Sequence, residues 1–572
     1  MAKLSSLTKN LKGDIFGGLT AGIVALPLAL AFGIQAFGVI DAQEIPNIGA
    51  IGALAGLVGA MMLGFFAALF GGTPSQISGP TGPMTVITSS FISTIWASTQ
   101  THDISTVLVA MALAGLFCGL FQILFGIIKI GKYIRYIPYP VLSGFMSGIG
   151  IIIILQQIYP LLGLKSPVLI VDMITQLPDK IDGFNHLALL FGLSTIAIIY
   201  LFPLITKKIP ATLVALVIVS VISVVFFKDF NLTIGEIPSG FPLPIFLQNG
   251  IDLSSINWPV VINMSVIPGL TLAGLGSIDT LLTSVVADNI TKTKHNSNRE
   301  LIGQGIGNMM AGLFGGLSGA GATMRTVVNV KSGGSSRISG MVHALLLLGI
   351  LLGLGSFVKY VPLSVLSGIL ITVGISIIDF KGLKDLFKIP RADAFVMIIV
   401  LLLTVFIDLL VAVGIGMVIS CVFFMKHTSD IVENSYESHG LTSFDRTSPW
   451  ADEADLTDEI KRHIYIVRLN GPIFFGSVTR FQEIMHSVPD TMKIVIIRMK
   501  LVAFIDQSGA YAMETAIKDL KDKGIEVLMT IIQPQPKAML KTLKVIPDLV
   551  KEESTFATFE ECAQYLKEKF DN

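Results

Sequence analysis

Apolar residues run along this chain in blocks about as long as a bilayer crossing, separated by short polar breaks, until the pattern changes near residue 427. The stretches 187–202, 211–227 and 396–425 carry almost no charge, and a helix crossing the hydrocarbon needs roughly 20 such residues. The blocks predict fourteen helical segments, near 14–35, 48–70, 81–96, 105–130, 140–162, 186–205, 210–227, 263–287, 301–316, 321–332, 337–357, 362–378, 393–407 and 409–426. Segments three and ten are too short to cross, and both begin in clusters of Gly, Pro, Ser and Thr. The first block lacks the small-residue cleavage site of a signal peptide and reads as a retained span. Pro27 marks a kink in it, and 25–32 is expected to wall a site near the midplane.

Beyond 427 the periodicity changes. A polar connector, 427–462, carries Asp430, Glu433, Glu437, Asp445, Asp452, Glu453 and Asp455. Strand-like runs then follow at 464–469, 493–498 and 526–532. They alternate with amphipathic helix patterns at 479–486, 507–523 and 537–545. The domains expected are a membrane part over 1–426, a linker over 427–462 and a soluble α/β domain over 463–572.

Composition agrees, with 52% of residues apolar and 14% charged, and mean hydropathy +0.75. A formal net charge of zero gives no bulk electrostatic basis for binding nucleic acid. Cys118, Cys421 and Cys562 are too few and too far apart for a disulfide framework or a zinc site, and the first two are expected to pack as small hydrophobes. No nucleophile–base set, Walker A run or dinucleotide fingerprint is present, so neither an enzyme nor a cofactor beyond a coupling ion is expected.

Basic residues orient the spans. The N-terminal tail holds Lys3, Lys9 and Lys12. Even-numbered loops hold Lys129, Lys132, Arg135, Lys207, Lys208, Lys292, Lys294, Arg299, Lys331, Arg337, Lys381, Lys384, Lys388 and Arg391. Odd loops hold only Lys165, Lys180, Lys228 and Lys359. The bias places both termini, and with them the soluble domain, in the cytoplasm of a cell whose inner (plasma) membrane carries the protein.

The two short segments are third of seven and third of the next seven. Seven is odd, so the second half inserts upside down relative to the first, and paired interrupted segments point to the binding site of an inverted-repeat transporter. A helix starting in mid-bilayer leaves its first N–H groups unpaired, and these with the positive dipole end favour an anion. The first start is Ser78-Gly79-Pro80-Thr81-Gly82-Pro83, and the second is Ser318-Gly319-Ala320-Gly321-Ala322-Thr323. Tight helix packing is the alternative reading of such small residues.

Asp279 lies inside segment eight, with Thr283 four residues on and hence on the same helix face. An intramembrane carboxylate is costly and usually functional. Three roles fit: an all-oxygen Na⁺ site with Thr283, a proton site, or an ion pair with Arg325. Arg325 either adds positive potential at the anion site or faces a cytoplasmic vestibule and pairs with a carboxylate. Asp408 reads as a turn or cap residue, Asp288 as a solvated helix end, and His295 as solvent-exposed.

Taken together, GDIFGGLT at 13–20, FFAALFGGT at 65–73, ISGPTGPMTV at 77–86, DTLLTSVVADN at 279–289 and HNSNRELIGQGIGN at 295–308 resemble the SulP family of anion transporters. The soluble end resembles a STAS domain, with Ile505-Asp506-Gln507-Ser508-Gly509 at a strand-to-helix turn. Within the family the likeness is greatest to the sodium-dependent bicarbonate transporters of cyanobacteria. It implies a UraA-like fold of seven-plus-seven inverted repeats, with a core (spans 1–4 and 8–11) and a gate (5–7 and 12–14). It further implies anion ligands at Thr81, Gly82, Ala322 and Thr323, Na⁺ ligands at Asp279 and Thr283, and a homodimer formed through STAS. Two positions depart from the pattern: Arg325 stands where a small residue is expected, and Gly79 where an acidic one is. Both make the region more positive, keeping sulfate and dicarboxylates beside bicarbonate as candidates. An H⁺-coupled sulfate or C4-dicarboxylate carrier is the second expectation. A sensor or scaffold signalling through STAS is the third, because Ser508 aligns with the position that STAS switch proteins phosphorylate; a plain helix-capping role for Ser508 is its alternative.

Overall fold

Every apolar block folds as a helix. In chain order these are α1 (Leu11–Phe37), α2 (Ile48–Phe70), α3 (Gly82–Ser98), α4 (Ile104–Ile127), α5 (Tyr139–Leu161), α6 (His186–Ile205) and α7 (Ala211–Phe226). The second set is α8 (Trp258–Thr291), α9 (Ser297–Leu313), α10 (Thr323–Lys331), α11 (Arg337–Val358), α12 (Leu363–Ile377), α13 (Arg391–Phe406) and α14 (Leu409–Glu433). Each matches one predicted segment; α8, at 34 residues, exceeds its prediction the most. The structure is a computed structural model that describes residues 10–571, apart from 41–44, 46, 99–102, 134–135, 168–169, 181–182, 207–208, 228–229, 236–239, 249–252, 255, 408, 434 and 441–457. Lys3, Lys9, Arg135, Lys207, Lys208, Lys228, Asp408, Asp445, Asp452, Glu453 and Asp455 lie outside the described residues.

Local chemistry sets the helix starts. α5, α7, α12 and α13 each follow a proline (Pro138, Pro210, Pro362 and Pro390), whose fixed φ suits a helix entrance where no N–H partner is needed. Asp103, Asn185 and Asn296 cap α4, α6 and α9 through their side-chain oxygens. Among the described residues, seven helices are long and apolar enough to cross a membrane. α3 and α10 are short, at 17 and 9 residues.

Packing sorts the helices into two groups. α4 lies against α8 and α9, α2 against α1 and α9, and α11 against α1 and α2. Separately, α5 packs on α12 and α13, and α6 on α7 and α12. These are the core and gate groupings that the family resemblance implies.

Met1–Val418 and Ile419–Asn572 form two compact units. In the second, a five-stranded sheet runs in the order β3 (Glu437–Gly440), β4 (Ile464–Asn470), β5 (Ile494–Leu501), β6 (Glu526–Thr530) and β7 (Thr555–Phe556). β4 to β7 are parallel, and β3 joins antiparallel at the edge. The period of two decides its faces. Val467, Leu469, Val495, Ile497 and Met499 point to one core, while Ile464, Ile466, Ile494 and Ile496 point to the other. Helices α15 (Val478–His486), α16 (Gln507–Asp522) and α17 (Pro534–Thr542) cover the first face, and α18 (Phe559–Asp571) covers the second. Both faces are covered, as a parallel sheet requires.

Three details differ from the sequence-based reading. Within 427–462, α14 runs on to Glu433 and β3 adds an edge strand. Cys421 is exposed instead of core-packed, whereas Cys118 and Cys562 are buried. The cap of α16 is Asp506, whose carboxylate accepts from Gly509 N–H at 2.7 Å and Phe475 N–H at 3.0 Å. Ser508 is exposed in the first turn and is not the cap.

A candidate anion and cation site

Two-residue strands place the broken helices. β1 (Ser78–Gly79) pairs antiparallel with β2 (Ala320–Gly321), with Ser78 opposite Gly321 and Gly79 opposite Ala320. The Ala322 N–H donates to the Ile77 carbonyl at 2.8 Å and extends the pairing. α3 and α10 therefore begin side by side and run outward from a shared crossing. The approach leaves no room for side chains: a Cβ on Gly319 would lie 2.2 Å from the Gly79 carbonyl oxygen. Pro83 supplies no N–H, so Gly82 and Met84 offer the free donors of α3. α10 starts at Ala322 with no side-chain cap.

Thr81, Gly82 and Ala322 are buried at the crossing, whereas Thr323 is exposed. The start of α3 is covered by the gate group. A Cβ on Gly82 would sit 2.7 Å from Ile153 Cδ1 and 3.3 Å from Ile377 Cδ1, on α5 and α12.

α8 closes the third side. Its Thr280 hydroxyl accepts from the Gly321 N–H at 3.0 Å. Thr283 Oγ1 lies 2.9 Å from the Gly321 carbonyl and 2.7 Å from Thr323 Oγ1. One turn earlier, Asp279 lies beside the Thr81 hydroxyl, which has no partner at full hydrogen-bond geometry. Thr81, Asp279, Thr283 and Thr323 are thus brought together. Asp279 belongs to no ion pair among the described residues, so the pairing with Arg325 does not form.

Arg325 does not face a vestibule either. It is 1% exposed, and its Nη2 donates to the Pro80 carbonyl at 3.1 Å while Nη1 has no partner. A Cβ on Gly79 would fall 2.4 Å from that Nη1. The two departures from the family pattern are therefore one feature: the guanidinium fills the space that a side chain at 79 would take. Gly79→Ala is expected to push the guanidinium off Pro80 and cut anion uptake about tenfold or more. Uptake assays of G79A in wild-type and Arg325→Ala backgrounds check this; equal sensitivity in both backgrounds refutes the steric account.

Glu300 was missed by the sequence reading. It is 1% exposed at the start of α9. Its Oε2 accepts from the N–H groups of Gly72 and Thr73, each at 2.7 Å. Its Oε1 accepts from Gln76 at 3.0 Å and Gln304 at 2.9 Å, and Gln304 also reaches Ser78 Oγ at 2.5 Å. Farther along α9, Asn308 accepts from the Gly319 N–H at 2.8 Å and donates to its carbonyl at 3.0 Å. Glu300, Gln304 and Asn308 line one helix face at four-residue intervals and hold both strands. That spacing was the available signal.

The loop after α8 also differs from expectation. Asp288 and His295 are paired and mostly buried: the carboxylate lies 2.7 Å from His295 Nδ1, at 17% and 11% exposure respectively.

A cavity of about 1280 Å³ is lined by Gln35, Ser89, Gln156 and Ser367, and its rim includes Gly38, Lys165, Thr233 and Ile407, which follow α1, α5, α7 and α13. It thus reaches from odd-numbered connections to residues of both the core and gate groups.

Residues 11–400 match the sulfate permease family, and 455–562 match the STAS domain. The chain belongs to the sulfate permease family. It is 40% identical over 543 residues to the bicarbonate transporter BicA of Synechocystis sp., covering 94% of this chain and 91% of that one. Its fold matches the transmembrane domain of a cyanobacterium bicarbonate transporter BicA with a TM-score of 0.61 at 44% identity, over 71% of this chain and 98% of that one. It also matches the overall structure of SLC26A9 with a TM-score of 0.80, over 99% of this chain and 91% of that one; at 19% identity this likeness carries the fold alone. This sulfate permease family member is a membrane-embedded anion transporter with a C-terminal STAS domain, and its relatives are transporters, not enzymes.

Proposed function

We propose that this transporter takes up bicarbonate together with Na⁺. The anion sits between the starts of α3 and α10, at Thr81, Gly82, Ala322 and Thr323, with Arg325 behind it. Na⁺ is held by Asp279 and Thr283. The observation that carries the reading is the Asp279 carboxylate, which lies beside Thr81 at the α3 start, one turn from the Thr283 that touches the α10 start, and forms no ion pair among the described residues. A carboxylate at membrane depth needs a counterion, and hydroxyl, carboxylate and carbonyl oxygens suit a hard cation. The kinship with BicA supports bicarbonate as the anion.

Coupling follows from contact. Thr283 touches Gly321 and Thr323 directly, so a cation on Thr283 orders the α10 start that the anion uses. Each ligand then strengthens the other's binding, by reciprocal linkage. In this reading the fourteen-segment domain lies in the plasma membrane with both termini in the cytoplasm, and STAS domains join two copies.

The test is uptake of labelled bicarbonate in reconstituted vesicles, with and without a Na⁺ gradient, against unlabelled sulfate and succinate. Na⁺-stimulated uptake that neither competitor reduces is expected. Proton-driven uptake blocked by sulfate or succinate favours the second reading, an H⁺-coupled sulfate or dicarboxylate carrier, which the buried, partly unpartnered Arg325 supports. Absence of any flux leaves the STAS sensor reading.

A further inference from the structure

The connection between α12 and α13 is charged and aromatic on its outside. A short helix, Phe380–Lys384, follows α12, and turns lead on to Arg391. Phe380 is 59% exposed and Phe387 95% exposed. Lys381, Lys384, Lys388 and Arg391 are all exposed on the same connection. Of these four, Lys388 alone has an acidic partner among the described residues, Asp385 at 3.2 Å. Asp393, the other nearby acid, lies in the first turn of α13.

The remaining acid faces inward. Asp379 accepts from Tyr139 Oη at 2.5 Å, from Ser143 Oγ at 2.6 Å and from the Gly382 N–H at 3.0 Å. Burial pushes its carboxyl up, but hydrogen bonds from Ser143, Tyr139 and the N–H groups of Gly382 and Lys381 outweigh that and hold it below its ordinary value. These bonds turn it toward α5, and four basic side chains against three carboxylates leave the connection positive.

We propose that the α12–α13 connection is a binding surface for anionic phospholipid headgroups, with Phe387 entering the acyl boundary and Lys381, Lys384, Lys388 and Arg391 meeting the phosphates. Both ends of the connection are membrane helices, which hold it at the level of the bilayer surface. An exposed phenylalanine among lysines there has an apolar medium on one side and headgroups on the other. Anionic lipids attract such clusters, and long basic side chains reach the headgroup level while their stems stay apolar. The Asp379 bonds to α5 pass the anchorage to the gate group.

The probe is the full-length chain in detergent, offered phosphatidylglycerol and phosphatidylcholine in equal amounts, with retained lipid read by native mass spectrometry. Wild type is expected to keep phosphatidylglycerol preferentially. Removal of each positive charge is expected to weaken that preference about fivefold, so K381Q/K384Q/K388Q/R391Q loses it. Phe387→Ser is expected to reduce retention of both lipids. Should the quadruple variant elute as unfolded material, the K381Q/K384Q pair carries the same test. An indifferent wild type, or a folded charge variant that keeps the preference, overturns the proposal. So does displacement of the lipid by free glycerol phosphate at the concentration of the lipid, which would mark a soluble-phosphate site. Lipid retention needs no transport, so this outcome is independent of the bicarbonate reading.

Discussion

Asp279→Asn is expected to abolish Na⁺ stimulation of uptake. The asparagine keeps the size and one carbonyl oxygen of Asp279, but removes the charge that offsets the cost of stripping water from the cation. Interactions with a charged group are worth about 1.5–3 kcal/mol, so a 10- to 100-fold rise in the Na⁺ concentration for half-maximal uptake is the minimum expected. The variant should fold well, because no basic partner is left unpaired by it. Na⁺ titration of uptake in vesicles reads the effect. Thr283→Ala is expected to weaken Na⁺ dependence less, since it removes one neutral ligand and the contact with Thr323. If D279N responds to Na⁺ as wild type does, the cation is elsewhere and the coupling scheme fails.

Glu300→Ala is expected to damage the fold itself. Four donors converge on this carboxylate: Gly72 N–H, Thr73 N–H, Gln76 Nε2 and Gln304 Nε2. Each buried donor left without an acceptor costs about 1–3 kcal/mol, and four are left at once. A loss of at least about 3 kcal/mol is therefore expected, read as a lowered temperature of aggregation on size-exclusion chromatography of heated samples. Uptake should fall with it, because the segment from Gly72 to Ser78 carries β1 and hence the start of α3. Glu300→Gln helps little, since its new NH₂ group must face two donors on one side or the other. A thermally wild-type E300A protein would show that the network is dispensable.

The difference between these residues explains what was legible. Asp279 stands out because a carboxylate inside an apolar block is expensive, whatever the fold around it. Glu300 does not, because it follows Asn296, Ser297, Asn298 and Arg299 and looks like a solvated helix start. Only the fold shows that α2 ends directly over it, turning a polar-looking residue into a buried hub. His295 and Asp288 follow the same logic: a charged loop looks solvated until its two ends are found to pair.

By itself the sequence determined the apolar helical segments, the basic bias among the loops, the α/β character of the end and the two short segments whose starts meet. These are local properties, because helix formation, bilayer length and charge bias depend on neighbours in the chain. Tertiary structure alone decided which partners those residues meet. It joined β1 to β2 across 240 residues of chain, set Thr283 against Thr323, and placed the Arg325 guanidinium in the space Gly79 leaves. Contacts of that kind arise only when distant helices pack, and no pattern of apolar and polar positions records which ones they will be.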